Sequence, residues 1–94
     1  MNKIHPSETE LIGSSKVDNG ELIPSDVTKR IWMLTSEYLE LVAQSQTGWE
    51  LLYRDPQDNR LWEESYPQSS LQGGGPPILR CISKDEAKNK FGSW

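Results

Sequence analysis

Three features of the sequence predict an α+β fold: an antiparallel sheet of hairpins packed against one main amphipathic helix, with a short C-terminal helix. Apolar residues recur with helical period from Val27 to Val42. Two turn signals, Asp18-Asn19-Gly20 and Asp55-Pro56-Gln57-Asp58-Asn59, each lie between strand-like runs. The resulting order is hairpin, helix, hairpin, strand, helix, which segregates hairpins from helices instead of alternating them as a parallel α/β chain does.

The elements follow in order. Residues 1–9 are expected to form a flexible tail on a single domain spanning 1–94. Leu11-Ile12-Gly13-Ser14-Ser15-Lys16-Val17 reads as a weak strand. Asn19-Gly20 turns the chain because both residues tolerate positive φ. Glu21-Leu22-Ile23 returns beside it, and Pro24 closes the hairpin. Ser25 or Asp26 suits a helix N-cap, and the periodicity predicts a helix to about Ala43. Val27, Ile31, Leu34, Tyr38 and Val42 share its apolar face, Leu41 flanks that face, and Trp32 and Leu39 extend it on the other side.

Gln44-Ser45-Gln46-Thr47-Gly48 ends the helix, and a second hairpin follows. Trp49, Leu51 and Tyr53 share one strand face, and Trp62 and Tyr66 share one face of the next. Trp49 and Trp62 are therefore expected in the core, whereas Trp32, at the edge of the helical arc, suits either packing or a partner. After a long connection, Ile78-Leu79-Arg80-Cys81-Ile82 forms a short strand. Ser83-Lys84-Asp85-Glu86 spells a capping box, so a helix should run to about Lys90, docked by Ala87 and Phe91.

Composition narrows the function. A chain of 94 residues, 34% apolar, makes one lean domain. One cysteine permits no internal disulfide and no thiolate cluster, and the expected compartment is a reducing cytoplasm. One histidine, His5, leaves little for a metal site. No cofactor is expected, and no apolar run approaches the ~20 residues of a membrane helix. The net charge of −4 has the wrong sign for a nucleic-acid binder. Between Glu37 and Glu64 stand seven acids and two arginines, a local balance of −5, and no lysine. A segment so charged either solvates the fold or steers it toward a basic partner.

Catalysis has no obvious seat. Cys81 lies inside an apolar strand and reads as structural. Glu63 and Glu64 alternate across a strand and face apart. Asp55 and Asp58 flank a turn without the ligand series of a calcium loop. Gly73-Gly74-Gly75 runs into Pro76-Pro77 and then a strand, not into the helix that a phosphate loop requires. The glycines and prolines together specify a shaped loop that approaches either the protein's own helix or a partner.

The run from Tyr53 through Asp55-Pro56-Gln57-Asp58-Asn59-Arg60-Leu61-Trp62-Glu63 leads into Tyr66-Pro67-Gln68-Ser69. With the Gly73-Gly74-Gly75-Pro76-Pro77 loop, Leu79-Arg80, the early Glu8-Thr9-Glu10-Leu11-Ile12-Gly13 and the closing Ser83-Lys84-Asp85-Glu86-Ala87-Lys88, it resembles immunity protein family 27 of bacterial polymorphic toxin systems. The resemblance covers nearly the whole chain. It implies a small cytoplasmic α+β protein that binds and neutralises a cognate toxin domain, without catalysis or cofactor. Asn59 stands where glycine is expected and Glu64 where an apolar residue would suit the Trp62/Tyr66 face.

The charge agrees with that implication, since an acidic non-enzymatic domain suits capture of a basic, nuclease-type toxin. The expected contact surface comprises Glu37, Glu40, Asp55, Asp58, Glu63 and Glu64, with Trp32 and the loop Gly73, Gly74 and Gly75. The free protein is expected to be a monomer that binds neither nucleic acid nor membrane. The alternative is a non-catalytic scaffold or adaptor for another basic protein.

Overall fold

The computed structural model describes residues 4–66 and 76–92. Five strands, Glu10–Ile12 (β1), Glu40–Gln44 (β4), Leu51–Arg54 (β5), Leu61–Ser65 (β6) and Ile78–Ile82 (β7), form an antiparallel sheet in the order β1-β7-β6-β5-β4. Ser15–Asp18 (β2) and Glu21–Pro24 (β3) pair separately as a hairpin arm. The main helix, Asp26–Met33 (α1), packs on one face of the sheet, and the C-terminal helix, Lys84–Phe91 (α2), on the other. The α+β architecture is thus as the sequence predicts.

Strand alternation sorts the core into two layers. Leu11, Tyr53, Trp62 and Leu79 meet Ile31, Leu34 and Leu39 under α1, while Leu52, Leu61 and Ile82 meet Ala87 and Phe91 of α2. The local signals hold where they rest on backbone chemistry. Asn19, Gly20 and Asn59 have φ of 52°, 81° and 64°, the left-handed conformation their turns require. Ser25 Oγ caps α1 by accepting from Thr28 N, and Ser83 Oγ caps α2 by accepting from Glu86 N.

Three expectations change. The first predicted strand divides at Gly13 into β1, which joins the main sheet, and β2, which belongs to the arm. The long helix stops early: residues Leu34–Tyr38 form a π-turn, closed by Leu39 N donating to Leu34 O at 2.7 Å, and the chain then enters β4. Thr35 and Ser36 hydroxyls donate to the carbonyls of Trp32 and Met33, competing with regular helical bonds and widening the turn. Glu40 to Ala43, read as the helix end, is therefore an edge strand.

Trp49, expected in the core, is 56% exposed just before β5. Residues 4–9 lie against the rest of the fold. Ile4 enters the α1-side core, Arg60 donates to the carbonyls of His5 and Glu8, and Glu8 makes a bidentate pair with Arg30, both bonds 2.7 Å. That guanidinium holds the Glu8 carboxyl down at about 2.

Candidate functional site

The fold gathers one group of the predicted acids and disperses the rest. The π-turn lies over the Asp55–Asn59 turn because the Tyr38 hydroxyl donates to Asp55 Oδ1 and reaches toward Gln57 Oε1 at 3.4 Å. This brings Glu37 and Tyr38, the start of β4 at Glu40, the end of β5 at Arg54, and the turn with Asp55 and Asp58 to one end of the sheet. Glu37, Glu40 and Asp58 are exposed there. Arg54 Nη2 lies 3.1 Å from Glu40, a solvated pair of small energetic value.

Asp58 accepts from both the backbone and the side chain of Arg60, at 3.0 and 2.7 Å. Partial burial alone would raise its carboxyl, but these bonds outweigh that and lower it, keeping it charged. Asp55 is buried. It accepts from Tyr38 and from Gln57 N at 2.8 Å, so it builds the turn and is not free for a partner. Burial, followed by the bond to Asp55, pushes the Tyr38 hydroxyl up to about 12. Arg60, though adjacent, is occupied by Asp58, by two backbone carbonyls and by the Trp62 ring, 4.9 Å below it. The end therefore presents Glu37, Glu40 and Asp58 to solvent, with Glu40 paired to Arg54 and Asp58 to Arg60.

Glu63 and Glu64 do face apart, as strand alternation requires, but both are buried, at 3% exposure. The correction has a physical cause on each face. Under α2, Glu63 meets Arg80 at 3.3 Å and Lys90 at 2.6 Å, with Arg80 also held by Glu86 at 2.6 Å. Under α1, Glu64 accepts from the phenols of Tyr53 and Tyr66, at 3.3 and 3.2 Å. The Trp32 indole lies near the Tyr66 hydroxyl, and the Thr35 side chain near that of Tyr53. Neither acid is available to a partner as folded. The Tyr53 and Tyr66 partnerships were not foreseen, although a tyrosine on a core face carries a phenol that needs a partner.

Burial raises the Glu64 carboxyl above its ordinary value, 4.5, and the tyrosine bonds only partly offset it. Stability from this site is therefore fully present below pH 4.5, where the group is neutral in both states. It declines as pH rises from there through the folded value. Glu64→Gln is expected to remove that decline, melting higher than the parent at pH 7 and equally at pH 4. Thermal unfolding at the two pH values checks it. A variant less stable than the parent at pH 7 contradicts it.

Trp32 is 44% exposed on α1, its indole turned toward Tyr66. Gly73, Gly74 and Gly75 lie outside the described residues. Cys81 is half-buried opposite Trp62, and burial raises its thiol despite the nearby Arg60, the setting of a structural cysteine. Among the described residues no three of His, Cys, Asp and Glu converge as a metal-ligand group, and no helix is long and apolar enough to cross a membrane.

Against known proteins, residues 17–83 match a family model described as Immunity protein 27. No curated protein and no solved structure matches the chain.

Proposed function

The chain belongs to the immunity protein 27 family, and from that premise we propose that it binds a cognate basic, nuclease-type toxin domain and neutralises it. An immunity protein acts by binding, so the chemistry to explain is recognition. The observation that supports a basic partner is the exposed acid at one end, Glu37, Glu40 and Asp58, of which Glu40 and Asp58 each pair with one arginine of the fold. Such a surface accelerates encounter with a cationic cleft and competes there with phosphate. Asp55 supports it by fixing the turn that carries Asp58. Glu63 and Glu64 serve the fold, and the Gly73 to Gly75 loop is a further proposed contact.

Reversing Glu37, Glu40 and Asp58 together to lysine is expected to lower the association rate with the toxin domain at least ten-fold at low salt and to flatten its salt dependence. Stopped-flow binding across a salt series checks this. Unchanged rates and salt slope would reduce these acids to solvating groups.

A further inference from the structure

One acid of the proposed contact is held by the fold at both of its oxygens. Asp58 lies in the turn between β5 and β6, with a third of its side chain exposed. Its Oδ1 accepts from Arg60 N at 3.0 Å and its Oδ2 from Arg60 Nε at 2.7 Å. What holds Arg60 therefore decides where Asp58 stands, and that support comes from the other end of the chain. Arg60 Nη1 donates to Glu8 O at 2.7 Å and Nη2 to His5 O at 3.2 Å, while Cζ lies over the Trp62 ring, 4.9 Å from its centroid. All three guanidinium nitrogens are engaged. A rigid planar fork serves three acceptors only while each keeps its place, so a shift of the His5–Glu8 turn shifts the donor that faces Asp58.

That turn is itself fastened from several sides. Glu8 N donates to His5 O at 2.9 Å and His5 N to Glu8 Oε1 at 2.7 Å, which closes it. The Glu8 carboxylate takes both bonds from Arg30 of α1. Ile4, 4% exposed, enters the core ahead of the turn, and behind it Thr9 O accepts from Cys81 N of β7 at 2.9 Å. The chemistry of the meeting matters as much as its firmness. With its carboxylate given to Arg30, Glu8 offers Arg60 only a backbone carbonyl, as His5 does. Among the described residues, Asp58 is thus the one carboxylate paired with Arg60.

We propose that residues 4–9 form a positioning strap for partner binding: by holding Arg60 they fix the Asp58 carboxylate in the orientation that a cationic toxin surface meets. This deepens, and rests on, the reading of Glu37, Glu40 and Asp58 as the contact for a basic toxin. Ile4 and Glu8 act through Arg60 and are positioning residues. An unheld carboxylate on an exposed turn samples several rotamers, and ordering it in a complex costs affinity; one already held avoids that cost. Holding does not exhaust it, since a carboxylate accepts at about four positions and the two bonds to Arg60 leave room for a partner's donor.

The test reads Asp58 first without a toxin, by NMR titration of its carboxyl in the full chain. Glu8→Ala removes both bonds to Arg30 and the bond from His5 N, whereas Ile4→Ala removes the core anchor and changes no charge. Circular dichroism verifies that each variant folds as the parent does. In the parent, the bonds to Arg60 hold the Asp58 carboxyl below its ordinary 3.8. In both variants it should move up toward that value. The sign identifies the cause, because loss of the Glu8 charge alone would move Asp58 down. Failure of either folded variant to move it up overturns the proposal and leaves the immunity reading standing.

Surface plasmon resonance against a candidate cognate toxin domain then reads the consequence. Glu8→Ala should weaken binding about three- to ten-fold. In an Asp58→Asn background the same substitution should matter less than two-fold. Glu21→Ala, which removes an equal charge from the tip of the hairpin arm, should also change binding less than two-fold. A Glu8→Ala effect that persists in full without the Asp58 carboxylate overturns the proposal, because the strap would then act by another route. If the parent binds and Glu8→Ala binds within two-fold of it, the proposal falls while the immunity reading stands. A parent that does not bind overturns both.

Discussion

Trp62→Ala should remove a large part of the protein's stability, about 3–5 kcal/mol, against a total of about 5–15 kcal/mol for a domain of this kind. Trp62 is the largest fully buried side chain, at 0% exposure, and sits in the middle strand between β5 and β7. It joins Tyr53, Leu79 and the α1 residues into one cluster and supports the Arg60 guanidinium from below. Removing it leaves a cavity that the strands cannot close without breaking register. Arg60 would lose its platform, loosening its hold on His5 and Glu8. Trp62→Phe separates volume from polarity. The indole N–H finds no hydrogen-bond partner among the described residues, so phenylalanine gives up volume but also removes a buried, unsatisfied donor. Its cost should stay near 1 kcal/mol. Urea unfolding measures both; equal losses for Ala and Phe would contradict this account of the core.

Gly13→Ala should cost about 3 kcal/mol, the upper end for overpacking, although it adds a single methyl group. A Cβ there would lie 2.4 Å from the Pro77 carbonyl oxygen and 2.7 Å from Thr28 Oγ1. Neither can yield readily. Gly13 N donates to Pro77 O at 2.9 Å, fastening the β1 end to the chain entering β7. The buried Thr28 hydroxyl donates to Ser14 O at 2.7 Å and accepts from Ser14 N at 2.8 Å. Pro77 is thus fixed by the bond that joins β1 to the entry of β7, and Thr28 by the bonds that hold the hairpin arm to the base of α1. Gly20→Ala meets no atom within 4 Å and costs only its positive-φ strain, about 1 kcal/mol. Urea midpoints for the pair should therefore fall in that order, and a Gly13→Ala protein within 0.5 kcal/mol of the parent would contradict the packing described.

Which parts of this fold were legible follows from how local their causes are. Asn19-Gly20, Asn59, Ser25 and Ser83 act within a few residues, and each does what its chemistry predicts. Trp62 was legible because strand alternation aims it inward. The helix end was not, because Tyr38 and Val42 are four apart and satisfy a helix as well as an apolar strand residue after a turn. The deciding bonds, from Thr35 and Ser36 back to the helix, depend on rotamers that no spacing reveals. Gly13 could signal a break, but its cause lies in Pro77, distant in sequence.

The candidate site divides in the same way. Glu37, Glu40 and Asp58 are exposed, as polar residues on a helix or turn surface are expected to be. Glu63 and Glu64 carry the same charge, but their burial depends on Arg80, Lys90 and two tyrosines supplied by tertiary packing. The apolar residue that Glu64 displaces marked the right face, since its carboxyl does lie under α1. Leu41 and Trp49 suit packing by periodicity but are exposed, Leu41 on the edge strand and Trp49 in the turn before β5.

The central claim, that this chain binds and neutralises a toxin, is tested most directly by growth of bacteria expressing a candidate cognate toxin domain, with and without the chain. The account predicts that the toxin alone arrests growth and that co-expression of the chain restores it. Arrest that persists with the chain folded and present at equal level would contradict it.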